Sequence, residues 1–199
     1  MSFSLRLVAA TAFSLLALLV GAEAVATSRP QADAFAKKLA IIKQHAERST
    51  ATPRRTTVTE GELNSWFVYR SQPLLPVGVK DPQVTVIGNG KLLGVVTVDL
   101  DEVRKSKSSD GSGAWKLLGG RLPITLSGVL RTKDGRGQFD LQSASLSGVP
   151  LPKFLLQEIV AHYTRTEGHP QGIRLDDPFA LPSGITQIDV GQGQAVILQ

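Results

Sequence analysis

The stretch from Val149 to Gly168, VPLPKFLLQEIVAHYTRTEG, constrains the fold more than any other. Leu151, Phe154, Leu155, Ile159 and Tyr163 recur at three- and four-residue steps and form one helical stripe. Leu156 and Val160 widen that stripe beyond what a surface helix needs. Pro150 and Pro152 suit a first turn, where a missing backbone N–H is harmless, and Gly168 and Pro170 supply a stop. About sixteen residues at 1.5 Å each predict a rod of roughly 24 Å. The flanking sequence alternates like strands, so a long, broadly apolar helix has to be covered by a sheet.

The strand signals lie before it. Val84, Val86 and Ile87 begin one strand, and Gly88-Asn89-Gly90 is a tight-turn signal. Leu92, Gly94, Val96, Val98 and Leu100 then keep one face, and Leu93, Val95, Thr97 and Asp99 keep the other. Lys105 to Gly113 reads as a charged Ser/Gly-rich loop, followed by Trp115, Leu117 and Leu118, whose apolar character suits a lid. Leu122, Ile124, Leu126, Gly128 and Leu130 form the next apolar face. After the Asp134-Gly135-Arg136-Gly137 hairpin, Phe139 and Leu141 point inward, and the phase then shifts to Ala144 and Leu146. A shift of one residue predicts a β-bulge near Ser143, and bulges curve sheets.

Upstream, Ala32 to Arg48 reads as a helix with Phe35, Leu39, Ile42 and Ala46 on one side, and Arg54 to Val58 as a short strand. Thr59-Glu60-Gly61-Glu62 is a capping box opening a short helix that carries Leu63, Trp66 and Phe67. Leu74 to Val79 is an apolar, Pro-bounded connector. Downstream, Ile185–Val190 and Gln194–Leu198 form a final hairpin. The order predicts an α+β fold whose strongly twisted antiparallel sheet is wrapped around the long amphipathic helix.

The N-terminus predicts export. Arg6 precedes an uncharged Leu/Ala-rich run from Leu7 to Ala22, and the small residues of Ala22-Glu23-Ala24 and Ala24-Val25-Ala26 offer cleavage. The run is about sixteen residues, short of the roughly twenty a membrane span needs; an uncleaved anchor is the alternative. Residues 1–26 are thus expected to be a signal peptide and 27–199 a single domain, periplasmic or secreted. The chain has no cysteine, so the domain must hold together by packing without disulfides. Its formal net charge of +5 favours anionic surfaces and is unchanged by removing the leader, which carries Arg6 and Glu23 together.

Catalytic chemistry finds little footing. There is no G-x-S-x-G, and no cysteine is available as a nucleophile. Gly88, Gly90 and Gly94 do not complete a dinucleotide-binding fingerprint. Glu158 stands four residues before His162, the one spacing reminiscent of zinc, and a solvent-facing histidine explains it better. The carboxylates Asp99, Asp101, Glu102, Asp176 and Asp177 lack the spaced oxygen ligands of a calcium loop and suit caps and turns. Arg54-Arg55 and Arg104 to Lys107 are basic without interleaved aromatics, which argues against nucleic acid. No enzyme activity, cofactor or metal is expected.

Three segments carry a resemblance: Thr59-x-x-Glu62-Leu63-Asn64 at a helix start, Val149-Pro150-Leu151-Pro152 running from a curved strand into a helix, and Leu181-Pro182-x-Gly184-Ile185 before a last hairpin. In that order they resemble bacterial periplasmic proteins of the tubular lipid-binding (TULIP) type, related to the bactericidal/permeability-increasing protein fold. The resemblance spans Thr59 to the C-terminus at one module's length. It implies a twisted sheet around a long helix, an apolar cavity between them that holds lipid, and no catalytic residues. The cavity lining expected on this basis is Trp66, Phe67, Leu126, Phe139, Phe154, Leu155 and Ile159, with Trp115 near the mouth. Lys153, Arg54 and Arg55 are the expected partners of an anionic headgroup. The expected partner is a lipid or other hydrophobic ligand, with membrane-surface contact. The alternative is a cell-envelope assembly or scaffolding protein that takes a protein segment in an apolar groove.

Overall fold

The computed structural model describes residues 26–48, 52–106, 119–164, 170–172 and 174–199. The expected leader up to residue 25 and Trp115 lie outside the described residues, as does the side chain of Ile159. The elements are α1 (Arg29–Ala46), β1 (Arg55–Thr59), α2 (Glu60–Tyr69), β2 (Val79–Gly88), β3 (Lys91–Asp99), α3 (Leu100–Ser106), β4 (Arg121–Lys133), β5 (Arg136–Leu146), β6 (Val149–Pro150), α4 (Lys153–Thr164), β7 (Phe179–Ala180), β8 (Gln187–Val190) and β9 (Gln194–Leu198). The fold is α+β with a large antiparallel sheet.

The strands form two sheets. The smaller has the order β1-β9-β8, and the larger β2-β3-β4-β5-β6, with β7 also paired to β5. The long hairpins turn at Asn89-Gly90 and Asp134-Gly135, where both residues of each pair have positive φ (51° and 80°; 50° and 76°). Such mirror-image turns match the right-handed twist of the strands they join. The sheets are tied together where β8 meets β4. The Thr132 hydroxyl accepts from the Ile188 N–H at 2.8 Å and donates to the Ile188 carbonyl at 2.9 Å, standing in for a missing strand.

The best-closed packing lies at the α1–α2 end. Ser28 caps α1 by accepting from Gln31 N–H, so the helix starts three residues before the apolar periodicity does. Its buried side is Ala32, Phe35, Ile42 and His45. Phe35 meets Trp66 of α2 edge-on at 5.8 Å, and Thr56 and Val58 of β1 close the packing from the small sheet.

The helix expected at the centre of the sheet is shorter among the described residues than its periodicity predicts. α4 covers 12 residues rather than about sixteen, and it packs chiefly against β5 near one side of the large sheet. Its first turn begins only at Lys153, because Val149 and Pro150 pair with Leu146 and Ser145 as β6. The segment read as the helix's approach is therefore strand.

The capping box of α2 is complete: Glu62 N–H donates to Thr59 Oγ1 at 3.2 Å, and Thr59 N–H to Glu62 Oε2 at 2.9 Å. Lys38 of α1 adds a salt bridge to Glu62 at 2.6 Å. Burial by itself would raise the Glu62 carboxyl, but the Lys38 ammonium and the Thr59 N–H more than offset it and hold it below its ordinary value of 4.5. A carboxylate depressed in the folded state contributes stability that is fully present above its unfolded pKa and is lost as pH falls through the folded one. Stability is therefore expected to decline as the pH drops below about 4.5. In Glu62→Gln, urea midpoints should be lower at pH 7 and fall less steeply in acid. Parallel acid slopes for the two proteins would refute the assignment.

Candidate functional site

The large sheet has an unusual face. Antiparallel partners directly opposite each other share a face. Val84 and Val86 of β2 lie opposite Gly94 and Leu92 of β3. Across from β3, Leu92, Gly94, Val96 and Val98 meet Gly128, Leu126, Ile124 and Leu122 of β4. Leu130, Gly128, Leu126 and Ile124 in turn meet Phe139, Leu141, Ala144 and Leu146 of β5. From Leu122 to Leu130 every β4 position on this face and its partners are apolar or glycine, and Thr132, opposite Gly137, is the polar residue that ends it. The opposite face mixes Leu93 and Val95 with Thr97, Thr125, Ser127, Gln138 and Ser143.

Register and curvature make that continuity possible. The ladder between β4 and β5 slips between Ser127 and Gly128, where Ser143 and Leu141 are successive partners and Gln142 is the extra residue. The bulge moves the apolar positions of β5 from odd to even numbers without leaving the face, within one residue of its expected place. Two more irregularities, between Lys80 and Gln83 and between Val86 and Gly88, bend β2. The Phe139 ring lies over Gly128, where a Cβ would stand 2.5 Å from its Cζ.

An antiparallel sheet ordinarily packs one face on a core and leaves the other wet. Here Val86, Gly128 and Ala144 are buried, whereas the remaining residues of the apolar face are only half-buried. Its sides are finished in part. Asn64 of α2 caps the outer edge of β2, accepting from Val84 N–H and donating to Val84 O, both at 2.8 Å, and Glu60 accepts from Val86 N–H at 2.7 Å. On the far side β6 and β7 cover the two ends of β5, and Leu151 N–H reaches Ala144 O. These caps protect main-chain groups that would otherwise template aggregation.

The expected lining residues divide. Leu126 and Phe139 share the apolar face. Leu155 is half-buried in the first turn of α4, where Leu156 is the enclosed residue at 4% exposure. Phe154 is 69% exposed, so its ring is open to solvent rather than enclosed. Trp66 belongs to the α1–α2 packing through Phe35. Phe67 touches Trp66 at 5.7 Å and, three residues after Asn64, lies on the side of α2 that meets β2. The headgroup candidates also separate: Lys153 pairs with Asp176 at 2.6 Å beside α4, while Arg55 begins β1 opposite Leu198 in the small sheet. Val96, Ile124 and Leu141 complete the face. Their alternation was legible in the sequence, but only cross-strand register brings them beside Leu126.

Asp99 closes β3. Its Oδ1 accepts from the N–H groups of Asp101 and Glu102 at 3.1 and 3.0 Å, and its Oδ2 from Arg121 at 3.1 Å. The Glu102 N–H first and Arg121 second hold its carboxyl below the usual range. This is a helix cap for α3, an element the sequence reading missed.

A surface cleft of about 570 Å³ lies beside the start of α2, lined by residues including Gln31, Thr59, Glu60, Thr85 and Gln192 and, from the apolar face, Val86. Glu60 N–H there already donates to Gly193 O, and the lining contains neither histidine nor cysteine. No group of three or more histidine, aspartate or glutamate side chains is placed to hold a metal ion among the described residues, and none of their helices is long and apolar enough to cross a membrane. Comparison with protein families, curated proteins and solved structures found no match.

Proposed function

We propose that this chain is an exported, non-catalytic lipid-binding or lipid-transfer protein that holds an acyl or isoprenoid chain against the apolar face of the large sheet, beside α4. One observation carries the reading: four adjacent strands present an uninterrupted apolar face that is mostly half-buried. Ligand sites are mostly apolar concavities with few polar groups, which suits a chain with no charge to be matched. Each buried CH₂ contributes about 0.8 kcal/mol, so ten carbons offer roughly 8 kcal/mol before ordering costs, which sets micromolar affinity as the upper bound for a chain of that length. In this reading the bulged sheet curls further around α4 in the tubular lipid-binding manner, with the ligand between them.

The test is extraction of the protein purified from its native host, with mass spectrometry of the organic phase, and titration with a fluorescent fatty acid. Leu126→Trp should weaken uptake at least about tenfold while the protein stays folded, since overpacking typically costs about 1–3 kcal/mol and a half-open site leaves the ring room to turn outward. Lipid-free extracts together with no uptake by the wild type would sink the reading.

A second reading rests on the outer edge of β5. Between Gly137, paired with β7, and Ser145, paired with β6, it has no strand partner among the described residues. An extended protein segment could add there as a strand with its side chains on the apolar face, as a scaffold would require. Co-purification of one stoichiometric polypeptide in place of lipid would favour it.

A further inference from the structure

We infer that the opposite face of the large sheet carries a docking patch for an anionic bilayer surface, made by Lys91, Arg131, Lys133 and Arg136 at the end where β4 turns into β5. The inference rests on the lipid reading in one respect, the choice of a membrane as the source of the anions.

Register puts the four side chains on one surface. Lys91 lies opposite Val129, and Val129 opposite Asp140. Arg131 lies opposite Gln138, and Lys133 opposite Arg136. Directly opposed antiparallel partners share a face, as do positions two apart on one strand. These rows are regular, because the slip between β4 and β5 falls before Gly128. The four cations therefore point away from Leu130, Phe139 and the rest of the apolar face, and all four are exposed. From Lys91 to Arg136 is two strand spacings across and four residues along, roughly 17 Å. Thr132, on the apolar side, holds both main-chain groups of Ile188, so the small sheet joins from that side and leaves the basic face clear.

The charges at this end do not cancel. Arg131 pairs with Asp140 at 3.4 Å. Lys91, Lys133 and Arg136 have no ion pair among the described residues, and the other carboxylate beside them is Asp134 in the turn. Asp189 belongs to β8, on the far side of Thr132, and accepts from Gln187. Asp176 and Asp177, past Gln138 at the edge of β5, are taken by Lys153 and Arg174. Four cations thus stand against two carboxylates. Along the rest of this face the next charges are at its opposite end, where Arg121 pairs with Asp99 and Lys80 with Glu102. Asp81 and Lys105, also exposed at that end, are of opposite sign.

The chemistry of the patch selects its partner. No aromatic side chain stands among the four cations for a base to stack on, which disfavours single-stranded nucleic acid. Val129 is its one apolar residue, whereas a protein interface is built around a desolvated apolar core. Anionic lipid needs neither: each Lys or Arg close to such a surface strengthens binding about fivefold, and the attraction is diffuse and screened by salt.

The test is co-sedimentation with vesicles. Wild type should bind mixed phosphatidylcholine/phosphatidylglycerol vesicles, leave pure phosphatidylcholine vesicles unbound, and be released when the ionic strength is raised to about 0.5 M. Lys91→Gln/Lys133→Gln/Arg136→Gln should bind the mixed vesicles at least about tenfold more weakly. Its urea midpoint should not fall, because the three groups removed have no partner in the protein, and it should still take up fluorescent fatty acid from solution. Lys37→Gln/Lys43→Gln/Lys105→Gln removes as much charge from exposed positions on α1 and α3 and should bind nearly as wild type. Equal binding of wild type to pure phosphatidylcholine, undiminished binding by the first triple variant, or an equal loss in the second would each overturn the patch. Tighter binding to a short nucleic acid than to the mixed vesicles would overturn the bilayer as its occupant. A wild type that docks through these residues yet takes up no fatty acid would refute the carrier reading and leave the patch standing.

Discussion

Gly128→Ala is expected to lower the stability by about 3 kcal/mol, whereas Gly94→Ala, one strand away on the same face, should leave it unchanged or raise it. Neither glycine is required by its backbone torsions, so the difference lies in what a Cβ meets. At Gly128 the new carbon would stand 2.5 Å from Phe139 Cζ and 2.6 Å from Asp140 O. The ring can rotate away, but the carbonyl belongs to the bulged ladder and cannot move without breaking it. At Gly94 the nearest heavy atom is Gln83 O at 4.0 Å, ordinary contact, and an alanine there loses less conformational freedom on folding. Urea denaturation of both variants decides the matter. Gly128→Ala/Phe139→Leu should recover part of the loss, because it relieves one of the two contacts. Equal midpoints for the two single variants would mean that Phe139 does not lie over Gly128, and that the apolar face is shaped differently.

The same residues show what could be read from the sequence. The phase change from Leu141 to Ala144 marked the bulge because side chains in a strand alternate with a period of two, so one extra residue leaves a visible slip. Asn89-Gly90 and Asp134-Gly135 marked their hairpins because few other pairs tolerate two positive φ values. Thr59 and Glu62 marked α2 because a capping box is local chemistry. What failed was whatever was locally ambiguous, too short to show a period, or dependent on distant partners. Asp99 with Glu102 three residues later is a cap signal for α3, but Leu100 continued the strand's alternation and masked it. β6 and β7 are two residues each, too short for any period. On α4 the stripe named Phe154, whereas Leu156 is enclosed, because where a helix docks is set by the surface it meets. Trp66 was placed in a lipid cavity because an aromatic stripe does not say which neighbour it serves. That neighbour is Phe35, thirty-one residues earlier in the chain.

Phe35→Ala is expected to be the costliest of the side-chain truncations, at about 4 kcal/mol. Phe35 is 7% exposed, and its ring meets Trp66 at 5.8 Å and 76°, a geometry that adds to simple burial. Its removal opens a cavity between α1 and α2, and the nearby ties to β1 and β2 through Lys38, Glu60 and Asn64 limit how far the helices can close on it. Leu126→Ala removes a comparable apolar side chain from the half-buried face and should cost only about 1–2 kcal/mol, since much of that surface already faces solvent. The functional effects should run the other way. Leu126→Ala should weaken fatty-acid uptake, while the folded fraction of Phe35→Ala, measured in a stabilising osmolyte, should take up ligand as the wild type does. The pairing separates two roles that apolar residues play in this chain: one cluster holds the fold together, and the other is a surface left open for a ligand. Equal stability losses for the two variants would mean that the apolar face is ordinary closed core, and the proposed ligand site would lose its basis.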